Sequence, residues 1–173
     1  MSRMEAPNER TELRAHLPST RGGESLLEID AWIPSELRAI SPLVDRLMRL
    51  IEGSHCITGE EHDVELALRE ALSNAVVHGN RQDAHKLVHI RCRCEVGKGI
   101  SLIVSDQGQG FDAHAIPDLD AVDNVELEHR RSIQLMKSTM DEVSFQQGGT
   151  EVHMCKRLAR NRRAGLRSDS GGS

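Results

Sequence analysis

The sequence predicts an α/β protein, a two-layer sandwich in which a mixed, mostly antiparallel sheet carries helices on one face. Three observations lead there. Val64, Leu68, Ala71, Leu72, Ala75 and Val76 recur at helical spacing, which predicts an amphipathic helix from about Glu60 to His78. Leu87 to Glu95 and Ile100 to Ser105 are strand-like runs around Gly97-Lys98-Gly99, the pattern of a hairpin. The chain also lacks the regular strand and helix alternation of a doubly wound parallel sheet.

The remaining elements follow in order. Leu26 to Ile33 reads as a first strand, and Pro34-Ser35 opens a helix through about Ile51, with Gly53 to Gly59 as the connection. Phe111 to Arg131 reads as a long, acidic, helix-poor loop. A short helix from Ser132 to Met140 precedes two strands, Glu142 to Gln146 and Glu151 to Lys156, joined by Gln147-Gly148-Gly149-Thr150. The length fits one domain, bounded at 25–157. Residues 1–24 and the tail 158–173, basic and then Ser/Gly-rich, are expected to be disordered.

Composition narrows the function. With two Phe, one Trp and no Tyr, the core must be built from aliphatic residues and Met, and recognition of single-stranded nucleic acid by base stacking is disfavoured. A net charge of −5 argues in the same direction, so no direct nucleic-acid partner is expected. No segment is long and apolar enough for a membrane span, and Met1 to Glu24 has no hydrophobic signal core, which places the chain in the cytoplasm without a membrane partner. The four cysteines are read as free thiols, Cys92 and Cys94 sharing one strand face and Cys56 and Cys155 having no paired spacing; C-x-C without a second compact pair is only a weak zinc signal.

Two motifs carry the chemistry. Glu70, Asn74 and His78, four residues apart, form a polar stripe that borders the apolar face of the helix and therefore needs partners. At the end of the strand Gly99 to Ser105 comes Asp106-Gln107-Gly108-Gln109-Gly110-Phe111, in which the glycines permit a sharp turn or the close approach of a flat ligand beside a carboxylate. That acceptor suits an adenine amino group. Taken singly, each element has a plainer explanation: Glu70 and Asn74 as solvated helix residues, His78 as a helix C-terminal residue before Gly79, Gly108 and Gly110 as turn glycines, Thr150 as a strand residue, and Arg130-Arg131 as an exposed basic pair. Their order and spacing favour a nucleotide site.

The E-x-x-x-N helix (Glu70, Asn74), the D-x-G-x-G-F turn (Asp106, Gly108, Gly110, Phe111) and the later Gly148-Gly149-Thr150-Glu151-Val152 resemble the GHKL ATPases over roughly Ser25 to Arg157. Within that superfamily the chain most resembles the bacterial anti-sigma-factor serine kinases, because Leu135-Met136-Lys137-Ser138-Thr139-Met140-Asp141-Glu142-Val143 is similar to the segment after their ATP lid. The resemblance implies ATP and Mg2+ as cofactors. It implies Asn74 as the magnesium ligand, Glu70 as general base, Asp106 as acceptor for the adenine amino group, Gly108 and Gly110 at the base pocket, and Thr150 supporting the same end. His78 and Asn80 would flank the site. Where the family carries a glycine-rich lid turn, this chain has Arg130 and Ser132, a departure that puts phosphotransfer in question; Arg130 or Arg131 is then a candidate partner of the terminal phosphate.

The implied partners are a sigma factor and an anti-sigma-factor antagonist whose serine would be phosphorylated, with homodimerisation common in the family. Two alternatives stand beside that reading: a partner-binding regulator that has lost phosphotransfer, and the ATP-binding module of a two-component system. The last fits least well, since the helix from Ser35 to Ile51 contains no histidine.

Overall fold

A computed structural model describes residues 11–16, 26–111 and 124–158. Among them six strands form one sheet in the order β1-β2-β3-β4-β6-β5, namely β1 (Glu12–His16), β2 (Leu26–Pro34), β3 (Leu87–Glu95), β4 (Gly99–Ser105), β5 (Glu142–Gln146) and β6 (Glu151–Arg157). Every neighbouring pair is antiparallel. Three α-helices, α1 (Ile40–Ser54), α2 (Glu61–Asn74) and α3 (Asn124–Thr139), pack with it, giving the two-layer α/β sandwich expected from the sequence.

Strand periodicity sets the layers. Leu27, Ile29, Ala31 and Ile33 of β2, Val88, Ile90, Cys92 and Cys94 of β3, Ile100, Leu102 and Val104 of β4, and Val152 and Met154 of β6 alternate onto one face and are buried. They meet the apolar stripes of α1 (Leu43, Val44, Leu47, Ile51) and α2 (Val64, Ala67, Leu68, Ala71, Leu72), with Met136 of α3 sealing the side next to β6. The core is almost wholly aliphatic, as the scarcity of aromatics requires. One charge lies on this face: Lys156 is buried, and its ammonium donates to Asp63 (2.8 Å) and to the Thr139 carbonyl and pairs with Glu60 (3.1 Å). These contacts tie the start of α2 and the end of α3 to β6, and the ammonium has the multiple partners that burial of a charge demands.

Four expectations are corrected. Glu12–His16, inside a segment read as disordered, is a strand in register with Glu28–Trp32 of β2; it is short and polar, with no strand-length apolar alternation to announce it, and pairing supplies its order. The rest of residues 1–24, and 159–173, lie outside the described residues. The helix after Pro34 starts later, as a turn of 3-10 helix (Leu37–Ala39) running into α1. The end of the expected lid loop is helical, because α3 begins at Asn124 instead of Ser132; 112–123 lie outside the described residues. Finally, Cys56 and Cys94 are not free thiols: they are joined by a disulfide, with Cα atoms 5.9 Å apart and Ser54 Oγ 3.1 Å from Cys94 Sγ, whereas Cys92 and Cys155 are free. Thirty-eight residues separate the pair, so spacing alone could not show it. Among the described residues no helix is long and apolar enough to cross a membrane.

Candidate functional site

The helix and turn motifs converge because of how α2 ends. After Asn74 the backbone widens into a π-type turn, Ala75–Gly79, in which the Asn80 N–H bonds the Ala75 carbonyl at 2.8 Å. Wide turns of this kind recur at functional sites. Asn80 is fully buried and reaches two ways: its Nδ2 donates to the Leu87 carbonyl (3.0 Å) and its Oδ1 accepts from the Gln107 N–H (2.8 Å). Instead of flanking a ligand, Asn80 fastens the end of α2 to the start of β3 and to the loop that carries Asp106.

That loop is fitted against its neighbours with little tolerance. A Cβ on Gly79 would lie 2.3 Å from the Asp106 carboxyl carbon, one on Gly108 would lie 2.1 Å from the Gly79 carbonyl oxygen, and one on Gly110 would lie 2.0 Å from the Gly148 carbonyl oxygen. Hydrogen bonds hold the approach, from the Asp106 N–H to Thr150 O (2.9 Å) and from the Phe111 N–H to Gly148 O (3.0 Å). Only glycine permits this density of backbone against backbone.

Between α2, α3 and the sheet lies a cavity of about 330 Å³, the size range of small-molecule sites. Of the residues singled out in the sequence, it brings together Asn74, His78, Asp106, Gly110 and Thr150. Gly108 supports the wall from behind and donates its N–H to Asp106 Oδ1 (2.8 Å). Glu70, half-buried one turn before Asn74, and Arg130 and Arg131 are not part of the cavity wall. Phe111, Phe145 and His129 complete it, residues the sequence reading did not select as site residues. The composition held a signal for two of them, since both phenylalanines of the chain are here, in edge contact at 5.2 Å.

Burial sets the electrostatics. The Asp106 carboxyl is pushed above its ordinary range by burial, opposed by the Gly108 N–H and the charge of Lys86. His78 is pushed down by burial, partly countered by Glu128, and His129 is pushed down by burial and by His78 beside it. Both imidazoles therefore favour the neutral form. At the α2 end, Asn74 Nδ2 donates to Ser132 Oγ at 2.8 Å, and its amide oxygen has no partner among the described residues. Thr150 Oγ1 is engaged with the Gln147 carbonyl at 3.0 Å, which places the side chain in the turn before β6. Arg130 and Ser132, which stand where the family has lid glycines, have helical backbone within α3 and no positive φ.

The sequence pattern of the histidine kinase-like ATPase domain matches residues 33–156, from the end of β2 to β6, and so spans every element that lines the cavity. The chain belongs to this family. As a histidine kinase-like ATPase domain it is an ATP-binding module, and the cavity between α2, α3 and the Asp106 loop is its candidate nucleotide site. No individual curated protein shows a significant match to the chain.

Proposed function

We propose that this domain is an anti-sigma regulator that binds ATP with Mg2+ and transfers the terminal phosphoryl group to a serine of an anti-sigma-factor antagonist, thereby controlling a sigma factor. The observation that carries the nucleotide part is the convergence of Asn74, His78, Asp106, Gly110 and Thr150, from three separate stretches of sequence, on one cavity whose lining also includes Phe111 and Phe145. Asp106 receives the adenine amino group, Phe111 and Phe145 face the ring, and the phosphates run along the Asn74 and His78 stripe. The amide oxygen of Asn74 is a hard donor suited to Mg2+, which neutralises phosphate charge when bound. Glu70, half-buried and outside the cavity wall, accepts the proton of the serine hydroxyl as its oxygen bonds the γ-phosphorus and the bond to the β-phosphate oxygen breaks.

A second reading, a regulator that binds partners without phosphotransfer, draws on the bond between Asn74 and Ser132, which places a hydroxyl where a glycine lid would offer backbone amides. Incubation with labelled ATP and a cognate antagonist decides between the two. Acid-stable phosphoserine on the antagonist, lost in Glu70→Ala, supports the kinase; nucleotide-dependent complex formation without label supports the second reading.

A further inference from the structure

His129 stands out among the polar groups that the reading above leaves unused. It projects from the second turn of α3 into the cavity wall, its ring centroid 4.7 Å from that of His78 and 4.7 Å from that of Phe111, edge-on to both. Its Nδ1 and Nε2 are buried and have no hydrogen-bond partner among the described residues. Buried polar atoms ordinarily have partners, and two orphans on one ring beside a cavity indicate that the partner is a ligand. Arg130 Nη2, on the next residue and outside the cavity wall, is also buried with no partner among the described residues. A neutral imidazole donates from one ring nitrogen and accepts at the other, so His129 offers one unpaired N–H to the cavity, beside His78 at the end of the Asn74 and His78 stripe.

We propose that His129 is a nucleotide-binding residue, donating a ring N–H to a phosphate oxygen of the bound nucleotide. The inference rests on the nucleotide reading of the cavity. It gives the altered lid a role: where the family's glycines present amides, this chain presents an imidazole from a helix. The cavity of about 330 Å³ persists with His129 in place, so the ring is a wall of the site and not a plug within it. Most of the groups around it are neutral. Glu128 precedes it on the same helix, but the side chains it meets across the cavity are His78 from the end of α2 and Phe111 from the Asp106 loop, with the neutral Asn74 and Ser132 pair one turn away and Asp106 the acidic group in the lining.

The test is titration of Mg-ATP and of adenosine into wild type, His129→Phe, which keeps the aromatic volume but has no ring nitrogens, and His129→Gln, which keeps a donor. Circular dichroism checks that each folds, and Asn74→Ala serves as the reference for loss of the site. The expected result is Mg-ATP binding weakened about 10- to 100-fold in His129→Phe, with partial recovery in His129→Gln and adenosine binding equal in all three. Mg-ATP binding unchanged in His129→Phe, while Asn74→Ala loses it, overturns the role of His129 and leaves the nucleotide reading standing. Tighter binding in His129→Phe makes the ring an obstruction, and an equal loss for adenosine moves its contact from phosphate to nucleoside; either overturns the proposal. Absence of binding by folded wild type overturns the nucleotide reading and His129 with it.

Discussion

Gly110→Ala and Gly148→Ala form a matched pair that separates the two costs of losing a glycine at the site. Both positions have positive φ, +73° and +66°, so an alanine at either pays the left-handed backbone cost, about 1–2 kcal/mol. At Gly148 nothing lies within 4 Å of the added Cβ, and the cost ends there. At Gly110 the Cβ falls 2.0 Å from the Gly148 carbonyl oxygen and 2.9 Å from its carbon. Ordinary contact is about 3.5 Å, so the two backbones must part by about 1.5 Å. That movement breaks the hydrogen bond from the Phe111 N–H to Gly148 O, about 1 kcal/mol, and loosens the edge contacts of Phe111 with His129 and Phe145, about 0.5–1.5 kcal/mol each. The sum for Gly110→Ala is about 3–6 kcal/mol, roughly three times that of Gly148→Ala. Urea unfolding followed by circular dichroism measures both, read as midpoint shifts at constant slope. Equal midpoints for the two variants would refute the packing argument, because they would leave backbone conformation as the sole cost.

Three further outcomes follow from the same structure. Asp106→Asn should weaken ATP binding about 10- to 100-fold in calorimetry, since the amide confronts the adenine amino group with a donor while the Gly108 N–H keeps its acceptor; unaltered affinity would place the base elsewhere. Burial pushes the Cys92 thiol up to about 12, from an ordinary value of 9.0. The unfolded chain therefore releases that proton first, so stability held below about pH 9 should fall by roughly 1.4 kcal/mol per pH unit up to about 12, and Cys92→Ala should flatten the slope in denaturant titrations across that range. Reduction of the Cys56–Cys94 disulfide, which closes a separation of 38 residues, should lower stability by about 4 kcal/mol, measured as the unfolding midpoint with and without reductant; coincident midpoints would count against the bridge.

What was legible in the sequence was what local periodicity encodes. The apolar stripe of α2 and the alternation of β3 and β4 each repeat over several turns or residue pairs, and the Asp106 loop announces itself by a carboxylate between a buried strand and spaced glycines. What escaped depends on partners distant in the chain. β1 is ordered by pairing with β2, the disulfide joins the connection after α1 to β3, and Asn80, expected to flank the site, works by satisfying backbone groups of two other segments. The lid is the instructive case. Arg130 and Ser132 stand where the family has glycines, but in a helix neither needs a positive φ, and the helix brings His129 into the cavity and Ser132 onto Asn74.

Isothermal titration of Mg-ATP into the purified chain, beside Asn74→Ala and a magnesium-free run, tests directly the proposal that the cavity holds magnesium-bound ATP through Asn74. Saturable binding by wild type that weakens in both controls is the predicted result. Binding of equal strength in all three would remove Asn74 and the metal from the site, and no binding by the folded wild type would contradict the nucleotide assignment altogether.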